Sequence, residues 1–129
     1  MGIQIHRKSN TKMSGNGRKN ITARDKRRSE VGNYFSATKL GSGNISLPVR
    51  RRGGNSGLRL KRVLFANVLE GGKYRKAKIT GLLESRDNRN FARQNIITKG
   101  ATIITDLGNA VVLNRPGREG SINARLLKV

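Results

Sequence analysis

The chain has 129 residues, with 28 Lys and Arg against seven Asp and Glu and a formal net charge of +21, and its isoelectric point is about 11.9. It contains no cysteine, which excludes disulfides, Cys-ligated zinc and thiol catalysis. No apolar run approaches the roughly 20 residues of a membrane span, and with 34% hydrophobic residues the length fits one small domain whose modest core fills part of the chain.

So many like charges repel one another and oppose compaction, and a polyanion relieves them because each phosphate contacted releases condensed counterions. A basic surface kept for solubility accounts for a few surplus cations but not for this many, so nucleic acid is the expected partner. Residues 1–20 lack the apolar stretch of a signal peptide, and His6 stands where a myristoylation motif requires Ser or Thr. Asn20-Ile21-Thr22 and Asn44-Ile45-Ser46 match the glycosylation sequon, but the expected location is cytoplasmic and both are read as accidental.

Charge falls along the chain as apolar content rises: residues 1–39 hold ten basic and two acidic side chains, residues 100–129 four and two. Residues 1–33 read as a basic arm that is disordered off RNA, because too little apolar surface is available to offset its conformational entropy. Ser14-Gly15-Asn16-Gly17 interrupts it, and Arg18, Lys19, Arg24, Lys26, Arg27 and Arg28 crowd behind the break. A short helix over Ile21–Val31, with Thr22 as N-cap, is the alternative to an arm that orders on its partner.

From Tyr34 to the end of the chain the pattern is that of short strands. Ser36–Leu40 is a candidate, ended by Gly41-Ser42-Gly43, and Leu58–Val68 is another, opening on an alternation and closing on a solid apolar run. A strand through Ala77, Ile79 and Leu82-Leu83 is entered by the Gly71-Gly72 turn. Asn90–Asn95 reads as a single helical turn. Ala101–Thr105 and Ala110–Leu113 flank Asp106-Leu107-Gly108-Asn109 as a tight hairpin, Arg115-Pro116-Gly117 reads as a turn, and Ile122, Ala124 and Leu126 alternate along a last strand. The fold expected for 34–129 is therefore mostly β, a small antiparallel barrel, with the basic arm largely extended.

The stretch from Arg50 to Arg62 carries the clearest chemistry. Arg50, Arg51, Arg52, Arg59, Lys61 and Arg62 fall within thirteen residues that hold no carboxylate. Gly53, Gly54 and Gly57 let the backbone approach a ligand, and Asn55 stands among them. On the following strand Arg59 and Lys61 share one face while Leu58 and Leu60 point to the core. Arginine suits phosphate because its planar fork binds it in bidentate fashion. A flexible loop with merely solvated charges is the competing account. The glycines do not form a phosphate-binding P-loop, since no Gly-Lys-Ser/Thr ending follows them.

Catalysis has little support. His6 is the sole histidine and lies in the arm, while Glu84 and Asp87, flanked by Arg86 and Arg89, read as a local charge pattern. No metal, cofactor or small-molecule substrate is expected. Five aromatics offer few stacking platforms: Phe65 belongs in the core, and Tyr74, between Lys73 and Arg75, is the one candidate for stacking on a base. Backbone and shape recognition of folded RNA is favoured over base readout.

Asn90–Ala101, Leu107-Gly108-Asn109-Ala110, Arg115-Pro116-Gly117 and Gly120–Ala124 closely resemble the S-eight-e family of archaeal and eukaryotic small-subunit ribosomal proteins. Ala37–Gly41, Arg52-Gly53-Gly54-Asn55 and Arg59-Leu60 match the same family in the same order, so the resemblance spans nearly the whole chain, and the short length looks archaeal. Where the family has Ser-Gly-Gly this chain reads Ser14-Gly15-Asn16, and where it has Gly-Arg or Gly-Lys this chain reads Gly32-Asn33. The resemblance implies a β-barrel body, a basic extension in RNA and a seat on small-subunit rRNA beside other ribosomal proteins, without catalysis. The expected RNA-contacting set then adds Lys39, Arg93, Lys99 and Arg115 to the cations of the arm and to Arg50, Arg51, Arg52, Asn55, Arg59, Lys61 and Arg62. A free-standing RNA chaperone or nucleoid-type protein is the alternative, and washing small subunits with high salt separates the two.

Overall fold

The structure is a computed structural model that describes residues 17, 18, 27 and 32–127. The chain divides into two units, Met1–Phe35 and Ser36–Val129. The expected arm, the alternative helix over Ile21–Val31, and Lys19, Arg24, Lys26 and Arg28 lie outside the described residues, apart from residues 17, 18, 27, 32 and 33.

In chain order the second unit forms β1 (Lys39–Leu40), β2 (Ile45–Arg50), a 3-10 turn (Arg52–Gly54), β3 (Ser56–Val63) and β4 (Phe65–Glu70). β5 (Lys73–Glu84), helix α1 (Arg89–Arg93), β6 (Thr102–Thr105), β7 (Gly108–Val112), helix α2 (Pro116–Glu119) and β8 (Asn123–Leu126) follow. Strands β4-β5-β6-β7-β8 close into a barrel, and β1-β3-β2 make a separate three-stranded sheet. The barrel neighbours are antiparallel except at the closure, where β4 runs parallel to β8.

Alternation builds the barrel. Ala66 and Val68 of β4, Ala77 and Ile79 of β5, Ile103 of β6, Ala110 and Val112 of β7 and Ala124 of β8 are all buried. Five strands enclose little room, and alanines interleaved with branched residues fill it: Ala66 opposes Ala77, and Val112 opposes Ala124. Strand β5 serves two neighbours. Its first half pairs with β4 and its second with β6, with register irregularities at Ile79/Gly81 and Leu82/Glu84 that bend it around the barrel.

Strand β3 passes into β4 through a bend at Leu64, whose N–H donates to Asn44 Oδ1 at 2.8 Å. Leu60 and Val63 enter the same core cluster as the barrel residues, each worth about 1.5–3 kcal/mol when fully buried. The sheet is tied down from its other side: Thr38 Oγ1 donates to the Leu60 carbonyl at 2.7 Å, and the Ile97 and Leu40 N–H groups donate to the carbonyls of Thr38 and Asn95.

The structure departs from the sequence expectations in several places. The candidate Ser36–Leu40 strand shrinks to Lys39–Leu40, and Leu58–Val68 is two strands and not one. A further strand, β2, lies over residues with no fully buried side chain. Neither Leu58 nor Phe65 enters the core: Leu58 is 49% exposed, and Phe65, next to the inward-facing Ala66 of β4, is half-buried on the outer wall of the barrel. Arg115-Pro116-Gly117 opens helix α2 instead of making a free turn, with Pro116 in its first turn and Gly120 ending it in the left-handed region at φ 70°. Gly120 sits on Leu58: a Cβ there would lie 2.8 Å from the Leu58 Cβ, so glycine is required both by backbone conformation and by contact. The single turn expected at Asn90–Asn95 is α1, whose Asn90 N–H donates to Asn88 Oδ1 at 2.9 Å.

Candidate nucleic-acid interface

A bulge in β3 sorts the basic residues. Ser46 opposes Leu60 and Ile45 opposes Arg62, which leaves Lys61 as the extra residue. Before the bulge Leu60 points to the core; after it Val63 does. Lys61 and Arg62 both stay exposed. On the face away from the core, Arg62 lies opposite Lys39 of β1 and Ile45 of β2, Arg59 lies opposite Leu47, and Gly57 lies opposite Val49. The Arg51 guanidinium covers Gly57, where a Cβ would fall 2.5 Å from Nη2. One face thus gathers Lys39, Arg51, Arg59, Lys61 and Arg62 around Ile45, Leu47 and Val49, and no carboxylate occurs in residues 39–63. Two unit charges about 7 Å apart in water repel by on the order of 0.6 kcal/mol, so a row of them favours a polyanion.

The β2–β3 loop holds the remaining members of the cluster. Arg51 N–H donates to the Asn55 carbonyl at 2.6 Å, and Gly53 and Gly54 both take positive φ. Arg50, which pairs with Ser56, points to the opposite side of the sheet from Arg59, while Arg52 and Asn55 are exposed in the loop. Arg93 on α1, Lys99 in the turn before β6 and Arg115 before α2 are exposed as well but belong to elements outside the strands of the basic face. Arg18 and Arg27 are exposed in the first unit. His6 lies outside the described residues, and Glu84 and Asp87 are exposed.

Of a second group, the sequence singled out Tyr74 alone. On the outer wall of the barrel, Lys78 opposes Phe65, Lys76 opposes Asn67, and Tyr74 opposes Leu69. Across the parallel closure Asn67 opposes Asn123, and Leu69 opposes Arg125. The alternation of Lys76 and Lys78 around Ala77 was visible in the sequence, but the β4–β8 pairing that brings in Asn123 and Arg125 was not. The neighbouring Arg75 is bridged to Glu70 at 3.1 Å and so is locally neutralised.

Barrel and basic sheet define the class, a small and strongly basic β protein of the kind that associates with nucleic acid. Residues 7–127 match the family described as Ribosomal protein S8e, and the chain belongs to that family. It is 39% identical over 126 residues to the small ribosomal subunit protein eS8 of Hyperthermus butylicus, covering 96% of this chain and 93% of that protein. It is 43% identical over 114 residues to the protein of the same name from Nanoarchaeum equitans, covering 87% and 89%. With that of Sulfolobus acidocaldarius it shares 43% identity over 122 residues, covering 88% and 95%. These relatives are archaeal, and the family is one of structural ribosomal proteins and not of enzymes.

Proposed function

We propose that the protein is a structural constituent of the small ribosomal subunit in the cytoplasm that binds and stabilises folded rRNA mainly through phosphate contacts, beside neighbouring ribosomal proteins. The observation that carries this reading is the gathering of Lys39, Arg51, Arg59, Lys61 and Arg62 on one sheet face with no carboxylate in its strands. The nine basic residues of 1–33 add further phosphate contacts. The test is salt dependence of binding to a small-subunit rRNA fragment. With about six to ten phosphates contacted, affinity drops by roughly 10³–10⁵ between 50 and 200 mM salt. A nearly flat dependence overturns the phosphate reading, and a protein that washes off small subunits at high salt is a chaperone and not a constituent.

A further inference from the structure

The outer barrel wall is chemically unlike the basic sheet. Its three central positions in one row are Lys76, Asn67 and Asn123; the next row holds Tyr74, Leu69 and Arg125, and the row before holds Lys78 and Phe65. Rows of same-face residues on a sheet stand about 6.6–6.8 Å apart and strands about 4.8 Å apart, so these eight residues form one continuous patch. Asn67 Nδ2 donates to Asn123 Oδ1 at 3.1 Å. That bond fixes the two amides side by side and leaves the Asn67 carbonyl oxygen as an acceptor and the Asn123 NH₂ as a donor. Exchanging N and O in both side chains leaves the same pairing of one donor with one acceptor. Tyr74 is 62% exposed although its ring is large and its partner Leu69 is half-buried. Lys76 Nζ stands 4.5 Å from the Phe65 ring centroid, on the side of its row away from Tyr74.

Resting on the RNA-binding reading above, we propose that this wall captures an unpaired RNA nucleotide, at a second surface distinct from the basic sheet. The base stacks on Tyr74 with Leu69 beside it, its edge meets the Asn67–Asn123 amide pair, and Arg125, Lys76 and Lys78 hold the flanking phosphates. The charge complementarity is direct: three cations and no carboxylate lie among the eight residues. An aromatic platform next to a donor–acceptor pair is the chemistry that reads a base edge, as when an amide side chain bonds the two neighbouring groups of adenine. An acidic protein partner would use the cations, whereas a nucleotide offers in one unit a phosphate for them, a flat face for the ring and an edge for the amide pair.

The test exploits the protein's fluorescence. It has two tyrosines and no tryptophan, so in a Tyr34→Phe background the emission reports on Tyr74 alone. Titration with unstructured 12-nucleotide A or U homopolymers should quench that emission to saturation. A 12-base-pair RNA duplex should bind the protein with no quenching. Tyr74→Leu should weaken homopolymer binding by about 5–150-fold, the range for loss of one stacked base, with duplex affinity and thermal melting unchanged. Replacing Asn67 and Asn123 together by Leu should narrow the difference in affinity between the two homopolymers. If emission is unaltered and Tyr74→Leu binds homopolymer as the parent does, while duplex binding persists, the wall is not a nucleotide site and the phosphate reading stands. If the parent protein binds neither RNA, that broader reading fails first. Equal quenching by poly-glutamate would show a generic anion surface and overturn the proposal.

Discussion

The three-stranded sheet and the barrel are continuous through β3 and β4, separated by one bend at Leu64, yet they use their side chains in opposite ways. Each barrel strand contributes residues that are almost wholly buried, whereas β2 contributes none, and the outward face of the sheet collects five cations. The barrel therefore carries the stability and the sheet is left free to carry charge. Leu60 and Val63, turned inward on either side of the Lys61 bulge, and Leu40 of β1 carry the barrel core into the sheet. Fold and binding are separable in this molecule, and substitutions in the two regions should change different observables.

The largest effect concerns residues 1–33, which hold nine of the 28 basic side chains. Among the described residues, every buried one lies at Thr38 or beyond. A chain lacking 1–33 should keep its strand circular dichroism and its melting transition, and should bind rRNA with a much shallower dependence on salt. An unfolded truncation would mean that the body needs the arm, and an unchanged salt slope would leave the arm without phosphate contacts.

Next in size is the sheet itself. Replacing Lys39, Arg59, Lys61 and Arg62 by Gln should lower the slope of log affinity against log salt by about four, on the order of one per phosphate-contacting cation. Stability should move by no more than about 0.5 kcal/mol, as for ordinary surface substitutions. Ile103→Ala should do the reverse. Ile103 is fully buried in β6, and its truncation should destabilise the fold by about 2–5 kcal/mol, measured by urea titration, with the salt slope of the folded protein unchanged. Destabilisation by the sheet variant comparable to that of Ile103→Ala would show that the cations support the fold and that the two regions are not separable.

How much of this was legible depends on where the signal lies. The barrel strands were visible because alternation at Ala77 and Ile79, or Ile122 and Ala124, reports a face directly. The basic cluster was visible because six cations without a carboxylate form a local pattern. Strand β2 was not, because Ile45–Arg50 includes Pro48 and no fully buried residue, so nothing in it marks a core face. Leu58 stays exposed where it is met by Gly120, a residue with no side chain to cover it, and the joint exposure of Lys61 and Arg62 depends on the bulge; neither follows from alternation alone. Helix α2 did carry a readable signal, Pro116 opening and Gly120 closing one turn, but the Pro-Gly pair reads equally as a turn. The outer wall around Tyr74 needs the parallel β4–β8 register, a contact 56 residues apart in sequence at Asn67 and Asn123, which no local pattern encodes.

The smallest effect is the most specific. Gly57 lies inside β3, its φ is not in the left-handed region, and the atoms a Cβ would meet are the Nη2, Cζ and Nε of Arg51, at 2.5–2.6 Å. These are the far end of a flexible side chain, so Gly57→Ala should displace the guanidinium and leave the backbone in place. Alanine in a strand interior is favoured over glycine by roughly 0.5–1 kcal/mol, so melting should stay level or rise slightly. RNA binding should weaken a few-fold, with the salt slope lower by about one, because Arg51 no longer lies on the face it shares with Arg59. Arg51→Ala should have the same effect, and the double variant should be no worse than either alone, since both remove one contact. Additive losses would mean that Arg51 reaches RNA from elsewhere in the loop. Unchanged binding in Gly57→Ala would remove Arg51 from the interface while leaving Lys39, Arg59, Lys61 and Arg62 within it.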